Sequence, residues 1–243
     1  MNFGKTRFSW IVRAMFGSCL AFVYLAGATG LSSDSSICPA MVENVFLAYL
    51  PVEMSLHVHR FRHALAFWGM VAGWMVFYPN APYILTDYFH LAHVDPYVAS
   101  GRRILRPDMR LWLTFTVLSV SAVVGAILGT WSLDHVAGLI QERIGRPKAI
   151  WRFSTVAMLA ALSSAGIYLG RFARIHSVHL FTRPHRAFGE VCSSIGVNML
   201  EFVVLVSLVQ LALWACLRFL IVSSGALGSP DRLNATSGRL NAL

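Results

Sequence analysis

Side chains that can transfer protons or bind metal ions recur in a short stretch that follows two prolines. Pro79-Asn-Ala-Pro82 interrupts an apolar run. Asn80 is a suitable N-cap, and Pro82 fits a first helical turn, where amides are unpaired anyway, so we predict a new helix over 81–93. At about 100° per residue, the polar side chains of this helix fall on one face. They are Tyr83, Thr86, Asp87, His90 and His93.

This polar face could support two kinds of chemistry. Asp87, His90 and Tyr83 are residue types that transfer protons in general acid/base catalysis. Asp87, His90 and His93 could instead supply a carboxylate and two imidazoles to a divalent metal ion such as zinc. A second His-x-x-His pair occurs at 176–179. We therefore predict a catalytic or metal-binding group centred on Asp87 and His90.

Two later apolar segments also carry polar side chains at spacings of four and three, within 164–171 and 194–201. An ionised side chain deep in a bilayer costs at least about 2.5 kcal/mol, so Asp87, Arg171 and Glu201 are expected to face the protein interior and to find partners. We predict that Arg171 pairs with Asp87 or with Glu201. Such a pair can also serve only to cross-link helices. The candidate substrate-binding residues are Asn80, Tyr168, Arg171, Arg174 and Glu201.

The composition is that of a protein whose solvent is lipid. The chain has 243 residues, of which 56% are hydrophobic and 13% charged, and its mean hydropathy is +0.61. Segments that approach the roughly 20 apolar residues needed to cross a bilayer must be helical, because lipid offers the backbone no hydrogen-bond partners. The net charge of +9 lies between these segments and forms no aromatic-lined basic patch. Lipid headgroups are therefore the expected partners, and nucleic acid is not.

These segments predict an all-α transmembrane bundle in one domain, 1–222. The third span is short and is followed by the Pro-Asn-Ala-Pro break, so the helix 81–93 is expected to lie in the interface or to re-enter the protein. The stretch 134–153 is predicted to be a basic amphipathic connection on the headgroups, and 223–243 a polar, disordered tail. The predicted spans are 14–31, 39–56, 64–78, 109–133, 154–170 and 196–222.

The alternation of six spans predicts which segments meet. Both termini fall on one side, and the loops on that side hold most of the basic residues, so the positive-inside rule predicts cytoplasmic termini. The same alternation brings the end of span three, the start of span four and the loop after span five to the opposite face. We predict a shared polar pocket there, around Asp87 and Arg171.

Three sequence features resemble a family of bacterial multi-spanning membrane proteins of unknown function. They are Phe77-Tyr-Pro-Asn-Ala-Pro-Tyr-Ile-Leu-Thr-Asp-Tyr-Phe-His-Leu91, Asp108 before span four, and Gly166-Ile-Tyr-Leu-Gly-Arg-Phe-Ala-Arg174. The resemblance covers residues 40 to 220 and implies an integral membrane protein of the bacterial cell membrane, without implying an activity. Where that family tends to read Trp-Asn-Ser-Trp-Asp, this chain has Ile-His-Ser-Val-His at 175–179. The second histidine pair is thus particular to this chain, which leaves Asp87 and His90 as the better metal candidates.

Three functions remain open from the sequence. The first is a membrane-embedded enzyme that acts on a lipid-like or isoprenoid substrate, with Arg171 holding an anionic headgroup. The second is a transporter or permease for a small molecule, in which the broken helix lines a path and Asp87 or Glu201 carries protons. The third is a non-catalytic membrane partner that uses the polar cluster for assembly. All three place the protein in the lipid bilayer, and the first two give it a lipid or small-molecule ligand.

Overall fold

The computed structural model describes residues 3–29, 37–94, 97, 105, 107–145, 148–172 and 194–227. Within these ranges the regular elements are helical, apart from an isolated bridge between Tyr97 and Leu105. The predicted all-α class is therefore confirmed. The elements are α1 (Phe3–Ala28), α2 (Ile37–Val58), α3 (Ala64–Phe77), α4 (Asn80–Tyr83), a 3-10 helix (Ile84–Val94), α5 (Met109–Ile144), α6 (Ala149–Arg171) and α7 (Val197–Leu227).

Five of these helices, α1, α2, α5, α6 and α7, are long and apolar enough to cross a membrane. Each exceeds the roughly 20 residues that a hydrocarbon core of about 30 Å requires. Helix α5 is the central one, because it contacts α1, α2, α4, the 3-10 helix, α6 and α7. The molecule is thus a multi-spanning helical membrane bundle.

The predicted third span is a discontinuous helix that runs antiparallel to α5. Near its start, the guanidinium of Arg143 lies 5.4 Å from the ring of Phe67. Further along, Trp74 Nε1 donates to Ser132 Oγ at 2.9 Å. The contact of Phe67 is near the end of α5, and the contact of Trp74 is earlier in α5. The two segments therefore run in opposite directions.

The same direction continues beyond the proline break. A Cβ atom on Gly129 would lie 2.8 Å from Cβ of Ala81, and the ring centroids of Tyr88 and Phe115 are 6.3 Å apart. The helix after the break is therefore present as predicted, and it prolongs the course of α3 beside α5. Gly129 makes this possible, because it lets the backbone of α4 approach α5 closely.

The predicted role of Asn80 as an N-cap is wrong. Pro79 already has helical dihedral angles (φ −53°, ψ −27°), so the new helix begins one residue earlier than predicted, at Asn80 itself. The side-chain amide of Asn80 donates to the carbonyl of Phe77 at 2.9 Å. Asn80 therefore satisfies a carbonyl at the end of α3, where the helix leaves its last acceptors unpaired.

The helix that carries the polar face is a 3-10 helix over Ile84–Val94, where the sequence predicts an α-helix. A 3-10 helix has about three residues per turn, so side chains at i and i+3 lie directly above one another. The side chains of Asp87 and His90 therefore point in more similar directions around the helix axis than they would in an α-helix.

Helix α5 extends well beyond the predicted end of the fourth span at residue 133. It continues to Ile144 and ends at Gly145, whose φ of 73° is the left-handed conformation that glycine adopts readily at a helix end. Asp134 does not end the helix, because Arg152 of α6 pairs with it at 2.7 Å. The predicted amphipathic connection 134–153 is thus mostly the end of α5 and the start of α6.

Candidate functional site

Asp87 lies at the centre of a buried polar cluster formed by three elements. Its exposed fraction is 0%. Asn44 of α2 donates from Nδ2 to Oδ2 at 2.8 Å, and Arg171 at the end of α6 donates from Nη1 to Oδ1 at 3.3 Å. The predicted pairing of Arg171 with Asp87 is present. These partners offset the desolvation of a carboxylate that would otherwise be costly inside a membrane protein.

The guanidinium of Arg171 is fixed by more than its carboxylate partner. Nη1 donates to the hydroxyl of Tyr83 at 3.0 Å, and Nη2 donates to the carbonyl of Thr86 at 3.0 Å. The guanidinium also lies 5.4 Å from the ring centroid of Tyr83. The Arg171 side chain is still 22% exposed, so a preoriented cation is presented at the edge of the cluster. Such a group is suited to an anionic ligand.

His90 lies near the same carboxylate oxygen of Asp87 that Arg171 contacts. Its Nδ1 is 2.9 Å from the carbonyl oxygen of Asp87 and 3.8 Å from Oδ1 of that residue. The tautomer that donates from Nδ1 to the carbonyl carries its lone pair on Nε2, which is the form that accepts a proton. The side chain is 32% exposed. The cluster therefore consists of a buried acid behind a partly exposed imidazole and a partly exposed guanidinium.

The other predicted substrate-binding residues that the structure describes have different surroundings from Arg171. Asn80 is at the proline break, where its amide is bonded to the backbone. Tyr168 packs in an aromatic group, with its ring centroid 5.5 Å from that of Phe202. Glu201 is exposed on α7, which corrects the expectation that it faces the interior. The reason is helical phase, because Glu201 lies about 180° around the helix from the buried Gln210.

Several predicted residues lie outside what the structure describes. Arg174 and the histidine pair at 176–179 fall in the segment 173–193, and the side chain of His93 is not described although its backbone is. Among the described side chains, no group of three or more His, Cys, Asp or Glu could hold a metal ion. The proposed metal ligands Asp87, His90 and His93 therefore stay a prediction.

Two groups of residues were missed by the sequence reasoning. Asn44 is a partly buried amide beside the exposed Glu43 within an apolar span, a signal that could have marked it as a partner of Asp87. The second group is a polar stripe along α7, spaced by three, four and four residues. It consists of Ser207, Gln210, Trp214 and Arg218.

The stripe faces the core of the bundle. Gln210 accepts from the hydroxyl of Tyr78 at 3.3 Å and donates to Ser164 Oγ at 3.0 Å, while Ser207 donates to the same Oγ at 3.1 Å. Trp214 Nε1 donates to Asp134 at 2.8 Å. Polar contacts thus follow α7 from the level of the proline break to one end of the bundle.

The fold and the cluster define a class of protein. It is a multi-spanning helical membrane protein whose third span is broken and carries a buried carboxylate in its second half. Residues 44–213 match a family described as "Protein of unknown function (DUF1361)". The match covers most of the chain, so the protein belongs to this family, and the resemblance drawn from its motifs is confirmed. Comparison with curated proteins and with solved structures finds no match.

Proposed function

We propose that this protein is a membrane-embedded enzyme that acts on a lipid-like or isoprenoid substrate with an anionic headgroup. The observation that carries the proposal is the double contact of Asp87, which meets Arg171 at 3.3 Å and His90 at 3.8 Å. In this arrangement Arg171 holds the anionic group of the substrate, and His90 transfers a proton. Asp87 orients both and stabilises the imidazolium that forms when His90 accepts a proton.

Tyr83 completes the proposed site. Its hydroxyl accepts from Arg171 at 3.0 Å, which leaves the hydroxyl hydrogen available for donation to a bound substrate. Tyr83 is partly buried, like Arg171 and His90, so each of the three side chains can be reached from outside the cluster. A substrate reaching this site along the bilayer would meet the guanidinium, the imidazole and the phenol together.

The test is an untargeted lipid comparison between a deletion strain and strains that express wild-type protein or a variant. We expect Asp87→Asn to give the lipid profile of the deletion strain, because Asn keeps the shape of the side chain but cannot stabilise an imidazolium. The matched control is Glu43→Gln, which changes an exposed carboxylate next to Asn44 on the same helix. A wild-type profile for Asp87→Asn at wild-type protein levels would contradict the proposal.

In an alternative version of this proposal, Asp87, His90 and His93 hold a divalent metal ion instead of transferring protons. Purified protein should then contain zinc, manganese or iron in a stoichiometric amount, and Asp87→Ala should remove it. A metal content near zero, unchanged by that substitution, would exclude a metal-dependent version while leaving the acid/base proposal in place.

A second candidate function, transport of a small molecule, is favoured by the broken third span. Discontinuous helices line substrate paths in many secondary transporters, and here the break lies inside the bundle next to the buried Tyr78 and Gln210. Proteoliposomes distinguish the two candidates. Substrate flux that follows an imposed pH gradient and is lost in Asp87→Asn would favour the transporter over the enzyme.

A further inference from the structure

A large cleft lies at the opposite end of the bundle from Asp87. Its volume is about 880 Å³, and its walls come from the starts of α1 and α6, the end of α2, and the last turns of α5 and α7. The Asp87 cluster instead uses an early residue of α2 and the end of α6. The cleft is therefore separate from the proposed active site, and nothing argued above assigns it a ligand.

Two arginines of the cleft are held in fixed positions by buried or half-buried carboxylates. Arg13 donates from Nε to Glu53 at 3.2 Å, and the same carboxylate accepts from Tyr49 at 2.7 Å. Arg152 donates to both carboxylate oxygens of Asp134, at 3.0 and 2.7 Å. Bidentate pairing fixes the plane of a guanidinium, so the remaining N–H groups keep a defined direction.

The acceptor capacity of these carboxylates is largely used within the protein. Asp134 also accepts from Trp214 at 2.8 Å and lies 3.6 Å from Arg218, while Glu53 lies 3.8 Å from His57. The cleft is lined by three arginines, Arg13, Arg60 and Arg152, and by two carboxylates, Asp134 and Glu142, so its cationic groups exceed its carboxylates by one. The guanidinium of Arg60 is exposed. The excess of cationic groups favours an anion.

Gly138 leaves room for the guanidinium of Arg152. A Cβ atom at this position would lie 2.8 Å from Nη1 of Arg152 and 3.2 Å from its Cζ. Residue 138 is buried in the middle of a turn of α5, and any side chain there would displace the guanidinium. The absence of a side chain therefore lets Arg152 lie across α5 and into the cleft.

Much of the remaining lining is apolar or aromatic, although Ser9, His57 and His59 also contribute to it. Trp131 stacks on His135 with ring centroids 5.1 Å apart, and Leu56 and Ile221 line the cleft near them. Trp10 is 64% exposed, which is typical of the belt where hydrocarbon meets headgroups. The cleft thus combines a cationic floor with apolar sides at the level of the membrane surface.

We infer that this cleft binds the anionic headgroup of a membrane lipid, with its acyl chains along the apolar walls. A soluble phosphate would use the guanidinium groups but gain nothing from the aromatic and aliphatic sides. A zwitterionic lipid would fit the sides but would bring a cationic group next to the arginines. An anionic lipid is the class of ligand that satisfies both parts of the wall.

The test uses delipidated full-length protein in detergent, with bound lipid measured by native mass spectrometry. The probes are phosphatidylglycerol, phosphatidylcholine with the same acyl chains, and inorganic phosphate. We expect phosphatidylglycerol to bind at least about tenfold more tightly than phosphatidylcholine, whose choline places a cation beside the arginines, and than inorganic phosphate, which has no acyl chains for the apolar walls. Equal binding of the two lipids would overturn the inference, and so would phosphate binding as tightly as phosphatidylglycerol.

Matched variants assign the binding to the cleft. Arg60→Gln is exposed and should fold normally, and we expect about tenfold weaker phosphatidylglycerol binding. Arg143→Gln is the control, because Arg143 is an exposed arginine near the same end but does not line the cleft. Equal losses in both variants would show a general charge effect and overturn the inference.

A second pair of variants tests the geometry without changing charge. Gly138→Ala should weaken phosphatidylglycerol binding by displacing Arg152, whereas Gly17→Ala, which has open space around it, should not. Binding unchanged in Gly138→Ala would count against the role of Arg152. Asp87→Asn should bind phosphatidylglycerol like the wild type, so failure of this inference and failure of the proposed enzyme can be told apart.

Discussion

The Asp87 carboxylate joins elements that are distant in the sequence. Asn44 precedes it by 43 residues and Arg171 follows it by 84. Removing one member of a buried ion pair leaves the other without compensation, which is costlier than replacing both. The cluster therefore contributes to stability as well as to any chemistry. For each variant of the cluster, stability has to be measured together with function.

We predict that Arg171→Gln lowers the thermal stability of the purified protein. The substitution leaves the fully buried Asp87 without a cationic partner, which costs about 3 kcal/mol when the site is well desolvated. The double variant Asp87→Asn with Arg171→Gln should recover part of the loss, because no unpaired charge remains. Melting temperatures in detergent measure both effects. A double variant less stable than the sum of the two single ones would contradict this account.

The sequence can predict the behaviour of a charged residue in a membrane helix, because burying a charge is costly whichever partner it finds. The cost of burying charge predicted that Asp87 and Arg171 pair. It could not predict that Glu201 is exposed, because the phase of α7 is set by Gln210 and Ser207 meeting Ser164 of another helix. Asn44 was missed for a similar reason. An uncharged amide has no large burial cost that predicts a partner, so its role is known only from its hydrogen bond to Asp87.

At the scale of elements, the broken third span depends on close backbone approach. Gly129 faces Ala81 so closely that an added Cβ would lie 2.8 Å from the Cβ of Ala81. Two prolines make the break, but the glycine determines where the second half of the span lies. The hydrophobic pattern could locate the break and could not locate this contact.

We predict that Gly129→Ala destabilises the protein by about 1 to 3 kcal/mol, the usual cost of overpacking. It should also reduce whatever activity depends on Asp87, because α4 and the 3-10 helix move together. Gly69→Ala is the matched control, since it lies on α3 with no atom within 4 Å of the added Cβ. Comparing the melting temperatures of the two variants tests the prediction. Similar values for both would argue against a close contact at Gly129.

A third prediction concerns the polar stripe of α7. Little of this helix is buried, and apolar surface gives no drive to associate when lipid is the solvent. Gln210→Leu should therefore loosen α7 at a cost of about 1 kcal/mol, since interhelical hydrogen bonds in membranes are worth about that much. The control is Val209→Leu, one residue away and exposed. Protease sensitivity and melting temperature would detect the loosening, and equal behaviour of the two variants would contradict it.

The end of α5 shows why element boundaries were less predictable than element types. Asp134 looks like the polar end of a span when the sequence is read in order. Its partner Arg152 lies 18 residues later, and the pair permits the helix to continue to Ile144. A boundary fixed by such a tertiary pair cannot be predicted from local hydropathy, whereas the presence of the span can.

For the whole molecule, the contacts require that both ends of the described chain lie at the same end of the bundle. Phe8 near the start of α1 and Ile221 near the end of α7 line the same cleft. Arg60 lies in that cleft as well, while Asp87 lies at the other end. The bundle therefore presents two polar regions, one at each of its ends.

Topology mapping tests this arrangement. We predict that single cysteines introduced at Arg7 and His59 in a cysteine-free protein react from one side of the membrane, and that one introduced at Asp108 reacts from the other. Asp108 lies at the start of α5, whereas the cleft that contains His59 lies at the end of α5. By the positive-inside rule we expect the first two to be cytoplasmic, since Arg13, Arg60, Arg143 and Arg152 cluster at that end. Membrane-impermeant thiol reagents applied to intact cells and to inverted vesicles distinguish the faces. Labelling of His59→Cys and Asp108→Cys from the same side would be incompatible with a third span that crosses the bilayer, and the assignment of Asp87 and the cleft to opposite faces would fail with it.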